Sequence, residues 1–219
     1  MFKSVLFLGR KDCRYSKRLH NLLKKNSRKL TYYESYRGSK KFKDNKKKFD
    51  YLFSFRSYEI IKSKTLKKIK FLAINFHPGT PKYRGIGCIN FAIYNNEKNY
   101  GATAHLIDTK IDHGKIIDLI KFKIKKNDNL DNLLKKTHEK MYFLAERVIK
   151  NLIKNQKFYS NKKRYVWSKK LWTKKDLNNL YEIKLTDKKN IVKKKIKATY
   201  CKKFKPYIRY KNNFITLQK

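Results

Sequence analysis

The sequence predicts an α/β protein: a Rossmann-like, mainly parallel sheet with helices on both faces, followed by a small C-terminal appendage of helix and hairpin. Three observations predict it. Short apolar, β-branched or aromatic runs alternate with amphipathic stretches up to about residue 155, as strands linked by crossover helices require. Of the 219 residues 40% are hydrophobic and 15% aromatic, enough for a core despite a formal net charge of +43. Beyond that point the alternation stops, so a boundary near residue 155 divides a main unit, 1–155, from a small C-terminal region, 156–219.

The elements follow in order. Ser4 to Gly9 reads as a first strand, and Tyr15 to Leu23 as a helix with Leu19, Leu22 and Leu23 on one face. Lys29 to Glu34 is a second strand, Asp50 to Phe55 a buried third, and Thr65 to Ile69 a short helix. Phe71 to Phe76 is a fourth strand and Ile89 to Tyr94 a helix, before two further strands at Ala102 to Ile107 and Lys115 to Ile124. Apolar positions from Leu130 through Leu133, Met141, Leu144 and Val148 to Leu152 define a long amphipathic helix to about Lys154. In the C-terminal region Thr173-Lys174-Lys175-Asp176 is a helix start. Pro206 to Tyr210 and Phe214 to Leu217, around Asn212-Asn213, read as a hairpin.

Composition excludes several classes of function. The longest early apolar run, Val5 to Leu8, is far short of a membrane span or a signal peptide. Cys13, Cys88 and Cys201 are odd in number and lack metal or redox spacing, which points to a reducing, cytoplasmic setting. Basic residues number 59 against 16 acidic ones, and nearly all are Lys. Such an excess reads either as a solvated surface from compositional drift or as attraction to a polyanion. Lys lacks the bidentate fork of Arg, so it favours attraction over readout. The densest patch, Lys40 to Lys48, reads as an exposed helix or loop.

The informative segment is Ala73-Ile74-Asn75-Phe76-His77-Pro78-Gly79-Thr80-Pro81-Lys82-Tyr83-Arg84-Gly85. Period-two alternation puts Asn75 and His77 on one face at the carboxyl end of a strand, where open α/β sheets bind ligands. An amide and an imidazole there suit a carbonyl that becomes an oxyanion. Taken singly, either residue reads as a strand-end cap. A second segment, Tyr100 to Ile117, ends a strand in a loop carrying Asp112 and Gly114. That carboxylate would orient His77 or accept a proton from an attacking amine through water. No Ser or Cys nucleophile elbow is present, so acyl-enzyme chemistry has no support. A metal set of His77, His105, His113 and Asp112 lacks ligand spacing, and His105 reads as core or pocket wall. Trp167 and Trp172 read as packing of the C-terminal region, or else as stacking surfaces for a base.

Together the Asn-x-His-Pro strand end, Tyr83-Arg84-Gly85, the helix around Phe91-Ala92-Ile93-Tyr94-Asn95 and Asp112-His113-Gly114 resemble the 10-formyltetrahydrofolate-dependent formyltransferases. The resemblance covers residues 1 to about 155 and implies a catalytic trio of Asn75, His77 and Asp112. It implies a folate donor held by Phe55, Arg56, Ser57 and Tyr58, with Asp108 to Ile111, including Lys110, opposite; it implies no metal. Arg56 reads equally as a surface cation. Two departures stand out. The loop after His77-Pro78 is one residue shorter than the family's, and His113 replaces a frequent Thr.

For the acceptor, the resemblance implies a primary amine, first that of a nucleotide-linked amino sugar. The family's tRNA-directed members carry a further C-terminal barrel, which this length does not accommodate. The short tail instead resembles sugar-directed enzymes, in which a hairpin commonly mediates a homodimer. The alternatives are a methionyl-tRNA formyltransferase-like enzyme using its Lys-rich surface, a formyltetrahydrofolate deformylase, or a basic RNA-binding protein on this scaffold. The deformylases share Gly101-Ala102-Thr103-Ala104-His105 but usually add an N-terminal domain, for which Met1 lies too near the first strand. Intact Asn75, His77 and Asp112 count against the RNA-binding alternative.

Overall fold

The computed structural model describes residues 1–43, 47–155, 165–210 and 213–217. Asp44, Asn45 and Lys46 of the basic cluster, Asn212 of the hairpin turn and the stretch after the boundary at 155 lie outside the described residues. The chain runs β1 (Phe2–Arg10), α1 (Arg14–Lys25), β2 (Ser27–Ser35), β3 (Phe49–Phe55), α2 (Ser63–Leu66), β4 (Ile69–His77), β5 (Arg84–Gly85) and α3 (Cys88–Tyr94). It continues through β6 (Asn99–Leu106), β7 (Ile116–Lys123), α4 (Leu130–Asn155), β8 (Leu171–Trp172), α5 (Lys174–Tyr181), β9 (Glu182–Ile183), α6 (Lys189–Thr199), β10 (Tyr207–Tyr210) and β11 (Asn213–Thr216).

Six strands form the central sheet in the order β2-β1-β3-β4-β6-β7. The pairings among β2, β1, β3 and β4 are parallel, while β6 runs antiparallel to both β4 and β7. The mainly parallel Rossmann-like sheet is therefore present. Its two faces are built by alternation along the strands. Val5, Phe7, Phe53, Ile74 and Phe76 point to one face, where they meet Leu19 and Leu23 of α1 and Met141, Leu144, Ala145 and Ile149 of α4. Leu6, Leu8 and Leu52 point to the other, under Phe42 and Ile61. The buried Thr65 of α2 lies in the same stretch of chain as Ile61.

Two expectations shift. The short helix spans Ser63–Leu66 rather than Thr65 to Ile69, because Ile69 already pairs with Phe49 as the start of β4. Helix α6 was not anticipated: its Lys-rich sequence dilutes the apolar period, yet Ala198 is fully buried. Trp172, Leu177, Leu180, Ala198 and Cys201 share one core with Tyr83, Phe91, Tyr100 and Leu133, so the C-terminal region packs on α3 and the start of α4. Trp172 lies 3.7 Å from Phe91, ring on ring, in keeping with the packing reading. The terminal hairpin pairs Tyr207–Tyr210 with Asn213–Thr216. No helix among the described residues is long and apolar enough to cross a membrane.

The expected helix start at Thr173 forms a reciprocal capping box with Asp176. Replacing Thr173 by Ala removes one half of it, and the expected loss is about 1 kcal/mol in a denaturant titration, within the usual range for an N-cap.

Candidate active site

Residues i and i+2 of a strand share a face, and Asn75 and His77 accordingly lie on one face at the carboxyl end of β4. Their strand partners are alternate positions of the antiparallel β6: Asn75 pairs with His105 and His77 with Thr103. The β6–β7 register shifts between Ala104 and His105, an irregularity of the kind that re-aims a side chain beside a site. The loop after β6 then folds back so that Asp112 reaches both imidazoles. Gly114 makes this return possible, since a Cβ there would lie 2.0 Å from the Leu106 carbonyl oxygen.

Asp112 Oδ2 is 3.1 Å from His77 Nδ1 and accepts the Gly85 backbone N–H at 2.9 Å. Asp112 Oδ1 lies 3.4 Å from His105 Nε2. His77 is 3% exposed and Asp112 10%, so the pair is screened from water. The other imidazole nitrogen of His77, Nε2, lies 2.8 Å from the Tyr83 carbonyl. A carbonyl and a carboxylate only accept, so both ring nitrogens of His77 carry protons and the side chain is an imidazolium. Burial alone would push His77 down. The Asp112 carboxylate outweighs it and holds the imidazole well above its usual value. Burial likewise opposes the charge on Asp112, and the facing His77 holds its carboxyl well below the usual range.

His105, read from sequence as core or pocket wall, connects the predicted trio. Its Nδ1 donates to the Leu106 carbonyl at 2.7 Å, leaving Nε2 to accept from the Asn75 amide at 3.1 Å. One amide hydrogen of Asn75 remains for a ligand. The available signal for His105 was register: an antiparallel strand ending in Ala-His-Leu must place one residue opposite Asn75. Trp167 was a second omission. Its ring stands edge-on to His105 at 5.1 Å and to His77 at 5.8 Å, and its Nε1–H donates to the Gly114 carbonyl at 2.8 Å.

The shortened loop after His77 is tied down by Thr103, which donates to the Gly79 carbonyl at 2.6 Å, and by the Tyr100 hydroxyl on the Pro78 carbonyl at 2.8 Å. His113 turns to Asp108, 2.6 Å away at the surface, and so takes no part in the trio. Among the described residues no group of three His, Cys, Asp or Glu side chains is arranged to hold a metal ion.

The residues expected around a folate lie in two places. Phe55 is buried at the end of β3, level with Phe76, and Arg56 follows as the chain leaves the strand. Ser57 bonds Ser35 at 3.0 Å, and the half-exposed Tyr58 lies under the Arg10 guanidinium at 4.7 Å. On the 108–111 loop, Asp108 accepts the Lys110 N–H at 2.9 Å and the exposed Ile111 offers its carbonyl to Arg84 at 2.9 Å. The bonds of the two segments run to different neighbours, and the two do not bind each other. Arg56 has a left-handed backbone, φ 55°, and donates to the Cys13 sulfur at 3.3 Å. Burial first, and then the nearby Arg56 and Arg10, push the imidazole of His138 on α4 down to about 3.

Comparison with known proteins is decisive for the family. The formyl transferase family profile matches residues 38–149. The chain belongs to the formyl transferase family. It is 34% identical over 113 residues to the bifunctional polymyxin resistance protein ArnA of Wigglesworthia glossinidia brevipalpis, a match covering 51% of this chain and 17% of that protein. The chain thus spans less than a fifth of that curated relative. Among solved structures of this fold, a 4-N formyltransferase from Francisella tularensis superposes with a TM-score of 0.79 at 25% identity, covering 98% of this chain and 96% of that one. An N-formyltransferase from Helicobacter canadensis, solved with folinic acid and dTDP-3-aminofucose, gives 0.69 at 23% identity over 90% and 80% of the two chains.

The paired charges give stability a defined pH window. Asp112, held below the ordinary carboxylate value of about 3.9, contributes above that pH and less as pH falls through its native value. His77, held above the ordinary imidazole value of about 6.5, contributes below that pH and loses its contribution as pH rises through its native value. The stability difference between the native protein and Asp112→Asn is therefore expected to be largest between about pH 4 and 6.5, narrowing on either side. Denaturant titrations across pH measure it.

Proposed function

We propose that this protein transfers a formyl group from 10-formyltetrahydrofolate to a primary amine, most directly that of a nucleotide-linked amino sugar. The observation that carries the reading is the convergence of Asn75, His77 and Asp112 on one buried ion pair at the carboxyl end of β4, in a chain of this family. Support for the acceptor class comes from the Helicobacter structure, whose ligands are a folate and an amino-sugar nucleotide. Arg10 ends β1 and Arg56 follows β3, and two guanidinium groups at the carboxyl ends of these strands suit a diphosphate. In this reading the catalytic unit is 1–155, and the fully exposed β11 edge of the terminal hairpin suits self-association.

The chemistry follows from the donors present. The acceptor amine attacks the formyl carbon, and the carbonyl oxygen becomes an oxyanion. The remaining Asn75 amide hydrogen donates to that oxygen, and the His77 imidazolium supplies the compensating charge. Its Nε2–H, resting on the Tyr83 carbonyl, is the donor for which the formyl oxygen competes. Asp112 accepts the proton leaving the attacking nitrogen, directly or through water. The bond from the formyl carbon to N10 of the folate then breaks, with N10 taking the proton that Asp112 accepted and the oxyanion collapsing to the formamide.

The test offers purified protein and 10-formyltetrahydrofolate to amino-sugar nucleotides, initiator tRNA and water, and identifies products by mass. Formylated tRNA, or free formate alone, would replace the sugar-nucleotide reading. Asp112→Asn is expected to lower turnover about a hundredfold or more with an unchanged circular dichroism spectrum, the usual cost of a positioned acid–base group. His77→Ala is expected to reduce single-turnover transfer far more than tetrahydrofolate affinity, since its charge matters chiefly in the transition state. The opposite pattern would make His77 a binding residue.

A further inference from the structure

We propose that Arg84 is a positioning residue for the transfer reaction, holding Asp112 in its working conformation and making the C-terminal region part of the site. The proposal rests on the formyl-transfer reading above and adds to it a dependence that the trio alone does not contain.

The guanidinium of Arg84 makes three hydrogen bonds to backbone carbonyls. Nε donates to Asp112 at 2.7 Å, Nη2 to Ile111 at 2.9 Å and Nη1 to Ser168 at 3.1 Å. Two of these acceptors flank the Asp112 peptide, and Asp112 has φ 43°, a left-handed conformation uncommon outside glycine that such bonds help to hold. The neighbouring Gly85 N–H holds Oδ2 of the same residue. Residues 84 and 85 thus fix Asp112 by main chain and side chain at once. The third acceptor belongs to the C-terminal region, and the Ser168 N–H returns a bond to the Pro81 carbonyl at 2.9 Å. Trp167, adjacent, covers the edges of both site imidazoles.

A purely structural role for Arg84 is weakened by what remains without it. The β5–β8 pairing of Arg84 with Leu171 and Gly85 with Trp172 uses main chain only, and the Phe91–Trp172 stack lies elsewhere. Removing the side chain therefore leaves the C-terminal region docked while freeing the Asp112 turn. The two roles also differ in sign at His77. The groups facing His77 are Asp112 from the 107–115 loop, His105 of β6, Cys88 at the start of α3, the Tyr83 carbonyl and the Trp167 ring. Deleting a nearby cation alone favours the imidazolium, whereas retreat of Asp112 disfavours it.

The experiment compares Arg84→Ala and Arg84→Lys with the native protein in turnover, tetrahydrofolate binding and an NMR titration of the His77 ring. Native transfer to any amine is the control for the formyl-transfer reading, whose failure is visible there. Arg84→Ala is expected to lose about tenfold to a hundredfold in kcat, the cost of a misplaced group, while folate affinity stays within about twofold. The His77 midpoint is expected to fall, and added guanidinium ion to restore part of the turnover. Arg84→Lys keeps the charge without the three-way fork and is expected to behave like the Ala variant, and it carries the test if the Ala variant does not fold. Near-native turnover in a folded variant, or lost turnover with an unmoved or raised His77 midpoint, overturns the proposal.

Discussion

A carboxylate withdrawn from water must be met by positive charge and by hydrogen-bond donors, and Asp112 meets that demand with groups from two separate segments. His77 comes from β4 and the Gly85 N–H from β5, while His105 of β6 stands 3.4 Å from Oδ1. His77 and His105 each have a second partner, so the carboxylate is the hub of a connected polar network. Asn75 is set by His105, and the His77 ring by the Tyr83 carbonyl. A half-assembled version would bury an uncompensated charge, so the network favours assembly as a whole.

The sheet supplies the geometry that makes the hub reachable. With β6 reversed among parallel neighbours, its residues run down the sheet as those of β4 run up. His105 therefore lies beside Asn75, with the loop that follows starting level with Ala73. That loop must climb back across the sheet face to bring Asp112 to His77. The face opposite α1 and α4 is thinly covered, which leaves room for the returning loop and for Trp167.

Most of this was legible from sequence because it depends on local periodicity. The alternation in Phe71 to His77 gives both the strand and the shared face of Asn75 and His77. The Thr173–Asp176 spacing gives the capping box. The parts that were not legible depend on contacts between distant segments. His105 could be assigned only once its strand was known to lie antiparallel beside β4. Arg84, quoted as part of a motif, has carbonyl acceptors at positions 111, 112 and 168, which no short window reveals. Helix α6 escaped notice because its lysines mask the period, although the aliphatic stem and amine of Lys195 are buried against Glu182 and Asp187.

The docking of Trp167 and Ser168 onto the site closes a chain segment of over eighty residues from Arg84, while the trio itself is drawn from a single stretch between 75 and 112. Closing the longer loop costs more chain entropy and is secured by fewer buried apolar contacts than the sheet beneath it. Hydrogen exchange would then find two cooperative units, the indole N–H of Trp167 opening at lower free energy than the amides of β1, β3 and β4. A site assembled this way comes apart by a sub-global opening well before its sheet melts. On warming, loss of the Trp167 contact would therefore precede loss of secondary structure.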